Sequence, residues 1–197
     1  TVHTLAVKRS STIGQNSPKI ATENANNASK MLDYTYEKLN GVYHPYYMYR
    51  QSKTIGNLEN VGYAKKGYES RHNAVYWVRK EYVGFGLGAS SMVADKRWSN
   101  TGEMSDYLDA RREKKEDFHV LTQEECMEEY MFLGLRMMQG VSEKCFFELY
   151  GRQMEDVYGK VISKWMKEGF LQKKGDRVSL TDKGIDVSNV ILAEFLL

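Results

Sequence analysis

Apolar positions are distributed differently on either side of about residue 121. Beyond it they recur every three to four residues, the period of a helix with one buried face. Met127, Tyr130, Met131, Leu135 and Met138 share such a face in a helix that starts after Leu121-Thr122 and is closed by Gly140. A short helix over about 142–150 follows. A longer one over 154–168 turns Val157, Tyr158, Val161, Ile162, Trp165 and Met166 inward, with Gly169 placed to end it. Residues 170–173 and 177–180 alternate around Lys174-Gly175-Asp176, the pattern of a hairpin, and Thr181 can cap a last helix over 182–196.

Before residue 121 the pattern is shorter in period. Val2 to Val7 is apolar and β-branched, and reads as a strand followed by a loop. Lys19 to Leu39 predicts a helix carrying Ala21, Ala25, Ala28, Met31, Leu32, Tyr36 and Leu39, and Val42 to Tyr49 predicts a second strand with Pro45 near its start or edge. A β-α-β unit of this kind implies parallel strands, and two units cannot close a parallel sheet. The front half therefore reads as the tail of a larger α/β domain, and a chain that begins at Thr1 in a strand pattern reads as a piece of something longer.

Residues 51–73 are polar and dotted with glycine, a long loop of the kind that carries function. Ten of the 14 tyrosines fall between Tyr34 and Tyr82, either as packing or as the aromatic wall of a pocket. Residues 94–123 are charged with alternating sign around Arg111 to Asp117, which predicts a solvated helix face or linker. The expected organisation is residues 1–95, a charged linker over 96–125, and a helical C-terminal domain over 126–197.

Composition narrows the function. A net charge of +2 on 197 residues gives no global field to draw in nucleic acid or anionic membrane. No apolar run reaches the length of a membrane span and no signal peptide opens the chain, so a cytoplasmic location is expected. The two cysteines, Cys126 and Cys145, exclude a disulfide scaffold and any four-cysteine metal site built from this chain alone; both are expected as buried helical thiols. Three helices and a hairpin are in winged-helix order, yet residues 126–197 hold 10 Lys/Arg against 11 Asp/Glu, a balance that disfavours DNA.

Gly84-Phe85-Gly86-Leu87-Gly88 is neither the G-x-G-x-x-G of a dinucleotide fold nor the start of a phosphate-binding P-loop. It reads as a strand with one bare face, open either to a flat ligand or to tight packing. The segment around it, Glu69-Ser70-Arg71-His72-Asn73, Tyr76-Trp77, Tyr82 and Gly84 to Ser91, closely resembles the oxygen-independent coproporphyrinogen III oxidase family of radical S-adenosylmethionine (SAM) proteins. Asn60 to Lys65, Leu133-Gly134-Leu135-Arg136 and Leu180 to Gly184 fit as well, and Tyr46 to Gln51 with Gly56 to Asn60 most resembles the HemZ-like branch.

The resemblance implies an α+β fold: the closing β/α units of a partial (β/α)6 radical-SAM barrel, then a helical, winged-helix-like C-terminal domain. It implies oxidative decarboxylation of two propionates of coproporphyrinogen III to give protoporphyrinogen IX, or, in relatives of the oxidase, haem delivery. The cofactors implied are a [4Fe–4S] cluster and SAM; the partners are coproporphyrinogen III or haem and an electron donor that the residues do not identify. The family's C-x-x-x-C-x-x-C motif is missing, so this chain by itself is expected to be inert. By position in the family, Ala6, Gly86, Gly88, Ala89 and Ser90 would approach SAM. His72 and Asn73 would either lie near the substrate or anchor their loop. Arg50 and Arg71 would either pair with substrate carboxylates or form surface ion pairs.

Overall fold

Thr122 opens the most regular part of the molecule. Its hydroxyl accepts the Glu125 amide at 3.2 Å while the Glu125 carboxylate accepts the Thr122 amide at 2.7 Å, a reciprocal cap that starts helix α4 (Gln123–Gly134). Ser142 caps α5 (Glu143–Tyr150), and α6 (Met154–Lys167) follows. The Leu171–Lys174 and Arg177–Leu180 strands, β7 and β8, form the expected hairpin, and a two-residue strand β6 (Val141–Ser142) adds to β8, giving the sheet order β6-β8-β7. The elements are numbered along the chain, and the computed structural model describes residues 1–6, 11, 12, 15, 24–51, 54, 56, 58–109 and 115–197.

Most of the predicted inward residues meet in one core, although Met166 at the end of α6 is exposed. Met127, Met131, Phe146, Tyr158, Ile162, Trp165, Val178 and Phe195 are all buried together, and each side chain of this size contributes about 1.5–3 kcal/mol on leaving water. Three expectations change here. The first helix stops at Gly134, and Gly140 instead turns the chain into β6 at φ +65°, where any Cβ would strike the Val178 carbonyl. The last helix breaks at Val187 into α7 (Asp182–Asp186) and α8 (Ser188–Ala193). Cys126 is buried, but Cys145 is exposed.

In the front half, α1 (Ala25–Leu39) precedes the strands β1 (His44–Tyr49) and β2 (Asn60–Ala64), which pair antiparallel with a register shift at Pro45. The start of the helix expected from Lys19, and Val7 of the first strand, lie outside the described residues. Val2 bridges Val61 on the far edge of β2, and Ala6 bridges Thr54. The first segment therefore runs in the same direction as β1, as a β-α-β unit requires, but β2 lies between them. That strand comes from residues read as a loop, because its Gly62 and polar residues hide the alternation; Gly62 is needed where the Tyr47 ring lies against it. Helix α2 (Arg71–Trp77) follows.

The glycine segment is a turn, not a strand. Before the turn Tyr82 bridges Met92; beyond it β3 (Ser90–Val93) pairs with β4 (Lys96–Asn100), and after helix α3 (Met104–Leu108) β4 also pairs with β5 (Lys115–Val120). The stretch read as a charged linker thus supplies two strands of a three-stranded sheet, whose exposed β5 keeps its charges in water. Residues 111–114 of its charge run lie outside the described residues.

Polar joints fasten front to rear. The free edge of β1 meets residues 136–138, with the Met48 amide on the Arg136 carbonyl at 2.9 Å and the Met138 amide on the Tyr46 carbonyl at 3.1 Å. Beside it, Glu59 Oε1 holds Arg50 at 2.9 Å and accepts the Ser188 hydroxyl at 2.8 Å.

Candidate functional site

Helix α2 and strand β1 bring most of the chemistry-bearing side chains of the front half together. Ser70 caps the helix by accepting the Asn73 amide, which leaves Arg71 and His72 exposed in its first turn. The Asn73 side chain donates to the Tyr47 hydroxyl at 3.3 Å, and that hydroxyl also bonds Thr1 Oγ1 at 2.9 Å. His72 meets the Tyr76 ring edge-on with centroids 5.6 Å apart, and Tyr76 meets Tyr82 in turn at 4.8 Å.

Behind this face lies an aromatic stack. Trp77 lies 5.8 Å from Tyr47 and 5.9 Å from Tyr49, inclined by 27° and 28°, while the two tyrosines are within 8° of parallel. Tyr47 and Tyr49 are two apart on β1, so the pleat sends both to one side of the strand. Tyr49 reaches His3 Nδ1 at 3.2 Å. His3 and His119 are thus engaged with neighbours, His119 through Glu125 at 2.8 Å, whereas among the described residues the imidazole of His72 meets an aromatic edge and no hydrogen-bond partner.

The glycine turn is built differently. Gly84 is required by close approach, since a Cβ there would sit 2.9 Å from that of Ala89. Gly86 and Gly88 have φ +103° and +62°, which favours glycine at both. Asn100 donates to the Gly84 and Gly86 carbonyls at 3.2 and 2.9 Å, the Gly86 amide bonds the Tyr107 hydroxyl at 2.8 Å, and the Gly88 amide bonds the Thr101 carbonyl at 3.1 Å. Ser90 Oγ is 3.2 Å from Ser99 Oγ. The Gly86, Gly88 and Ala89 amides are therefore committed within the protein, and the space that a Cβ would take at Gly86 and Gly88 is open.

Arg50 lies at the joint with the rear half. Its guanidinium is bonded to Glu59 and to the Asp186 carbonyl, and nearby Arg136, whose charge is disfavoured chiefly by burial and then by Arg50, leans on the same Glu59. Ala6 pairs with Thr54. Of the residues expected at the site, Arg71, His72 and Asn73 share α2 and its aromatic surroundings; Gly86, Gly88 and Ala89 share the turn, with Ser90 next to it at the start of β3; Arg50 and Ala6 belong to neither. The sequence offers Tyr47 and Tyr49 only among ten tyrosines in packing or in a pocket wall; their two-residue spacing in a strand pattern is the signal that singles them out as the pair stacked on Trp77.

The chain does not fit an iron–sulfur cluster. Its two cysteines are Cys126, buried with its Sγ 2.8 Å from Arg79, and Cys145 on another helix. Among the described residues no three His, Cys, Asp or Glu side chains gather as a metal site. Nor is any helix among them long and apolar enough to cross a membrane.

Residues 121–187, which contain the rear core, match the family described as the HemN C-terminal domain. The chain is homologous to the HemN, HemW and HemZ proteins. Over 145 residues it is 38% identical to a protein of Bacillus subtilis named heme chaperone HemW, covering 72% of this chain and 38% of that one. The heme chaperone HemW of Lactococcus lactis is 36% identical over 142 residues, with the same coverage of 72% and 38%. The oxygen-independent coproporphyrinogen-III oxidase-like protein HemZ of B. subtilis is 36% identical over 117 residues, or 58% of this chain and 23% of that protein. These two HemW alignments are longer than the HemZ alignment and at least as similar, so the matches do not single out the HemZ-like branch. In structure, the chain resembles the coproporphyrinogen III oxidase HemN of Escherichia coli, a radical SAM enzyme, with TM-score 0.59 and 15% identity over 87% of this chain and 41% of that one. That similarity establishes the α+β fold. The chain spans 38% of the length of these two HemW relatives.

Proposed function

We propose that this chain is the C-terminal part of a haem-handling radical-SAM protein, and that haem is bound as cargo through His72. The observation that carries the reading is the exposed imidazole of His72 on α2, backed by Tyr76 and flanked by exposed Arg71, in a chain similar to two proteins named heme chaperones. A neutral imidazole is a ready axial ligand for haem iron, the aromatic surroundings supply apolar contact, and a free guanidinium suits a propionate. Asn73 does not touch the cargo on this reading; by tying α2 to Tyr47 it sets the helix on the aromatic stack.

Gly86, Gly88, Ala89 and Ser90 are proposed to face SAM through the open side of the turn, by van der Waals contact rather than through amides already committed. When bound in the whole protein, SAM and the cluster supply radical chemistry; this chain's residues offer no ligand to the cluster.

Oxidative decarboxylation of coproporphyrinogen III is the second reading, favoured by the match to the HemZ protein and the similarity to the HemN structure. On that reading Arg71 remains available to a substrate carboxylate, while Arg50 is taken by Glu59. Titration with haem separates the two. A Soret shift that is lost, or weakened about tenfold or more, in His72→Ala supports haem handling. No shift in the wild type, together with protoporphyrinogen formation by the protein reconstituted anaerobically with iron, sulfide and SAM, replaces it with the oxidase reading.

A further inference from the structure

The end of α2 is unusual for its sequence. The Lys80 amide donates to the Val75 carbonyl at 3.0 Å and the Arg79 amide to the Tyr76 carbonyl at 3.3 Å, the paired bonds of a Schellman ending, whose left-handed residue is ordinarily glycine. Arg79 occupies that position at φ +52°. Glycine would make the same ending without strain, so the backbone does not explain the arginine. Its side chain does.

The Arg79 guanidinium reaches Asp95 Oδ1 at 2.7 Å, Cys126 Sγ at 2.8 Å and Glu129 Oε2 at 3.0 Å. The other oxygen of Glu129 holds Arg97 Nη1 at 2.8 Å. Glu129 is 7% exposed, so this carboxylate of α4 is withdrawn from water and shared between an arginine of β4 and the residue that terminates α2. Burial works against the Arg79 charge, yet the bond to Asp95 and the other acceptors around it hold the guanidinium more firmly protonated than usual. A helix of seven residues has too few internal bonds to hold its own direction. At its start it has the Ser70 cap and the Asn73–Tyr47 bond; at its end it has this clamp.

The geometry points to Glu129 as a positioning residue of the haem site. Through Arg79 it fixes the C-terminal end of α2, and with it the stacking of Trp77 on Tyr47 and Tyr49 and the direction in which Tyr76 and His72 face. The inference rests on the haem reading above. It makes the rear module, which contributes no ligand to the iron, the part that sets how the iron ligand is presented.

Arg79→Gly is the diagnostic variant, because it keeps the helix ending and removes only the clamp. Haem is titrated against Arg79→Gly, Glu129→Gln, Glu129→Ala and the Arg79→Gly/Glu129→Ala double variant, with far-UV dichroism and melting recorded alongside. Arg79→Gly and Glu129→Ala are expected to stay folded and either to weaken haem binding about tenfold or to move the Soret maximum. Glu129→Gln should retain part of the wild-type behaviour, since an amide oxygen can still accept from Arg79. The double variant should be no weaker than the weaker single one, because both cut the same link. Arg79→Gly with the wild-type Soret maximum and affinity overturns the inference, and if Glu129→Ala fails to fold, Arg79→Gly and Glu129→Gln decide. Absence of haem binding by the wild type defeats the haem reading instead. Hydrogen exchange then judges the clamp: exchange at amides 74–80 that Arg79→Gly and Glu129→Gln leave unchanged overturns it, and selective acceleration there upholds it.

Discussion

Helices α4, α5 and α6 bury Met127, Met131, Phe146, Tyr158, Ile162 and Trp165 against β8 and the C-terminal residues, whereas α1 buries none of its side chains and leaves Met31 69% exposed. The rear module is held by one apolar core. The front half buries few large apolar side chains and is fastened by hydrogen bonds and ion pairs: β1 on residues 136–138, Glu59 between Arg50 and Ser188, Glu129 between Arg79 and Arg97. Apolar burial is non-directional and fixes a module as a whole, while buried ion pairs fix particular residues in place and fail when one partner is lost. The proposed site sits on the second kind of support, so its geometry depends on a few named contacts.

The largest break in this contrast is expected in the rear core. Phe146→Ala empties a fully buried position and should lower stability by about 3–5 kcal/mol in denaturant titration; a loss below about 1 kcal/mol would show that the core is not the rear module's main support. Next comes the joint: Glu59→Ala leaves Arg50 without its carboxylate and Arg136 beside it, and should destabilise by about 3 kcal/mol, with faster proteolysis in the front half before the rear.

Alkali gives a smaller effect. Burial, against the pull of Arg79, pushes the Cys126 thiol from its usual value of 9.0 up to about 11. A group whose folded pKa is raised contributes stability below its unfolded pKa and loses it as pH rises through the folded one, so melting should fall between about pH 9 and pH 11, and Cys126→Ala should flatten that fall. Least of all, Met31→Ser on α1 should change stability by less than about 0.5 kcal/mol; a larger loss would mean that the exposed face of α1 is covered in solution.

How far the sequence could be read follows the same contrast. In α6 the inward side chains recur at helical spacing over four turns, and Tyr158, Ile162 and Trp165 are buried where that spacing puts them. The hairpin was legible from alternation around Gly175, whose φ of +64° the turn needs. β2 was not, because the positions it buries are Asn60, Gly62 and Ala64: Asn60 answers to the Thr4 amide and Gly62 to the Tyr47 ring, so burial alternates without large apolar side chains to mark it. The glycine turn was misread as a strand because a two-residue glycine spacing is common to both. At the site, His72 and Asn73 could be picked out by resemblance, but nothing local distinguishes Arg50, bound to Glu59, from Arg71, exposed on α2.

The sequence by itself determined the rear helices, the hairpin, the small charge balance and the lack of cysteines for a cluster, because periodicity, turn chemistry and composition act over a few residues or over the whole chain. Only the tertiary structure decided which arginines are consumed in joints, that β2 lies between the first segment and β1, that Tyr47 and Tyr49 stack on Trp77, and that Glu129 reaches the end of α2. These are contacts between residues tens of positions apart, where geometry and desolvation, not local preference, select the partner.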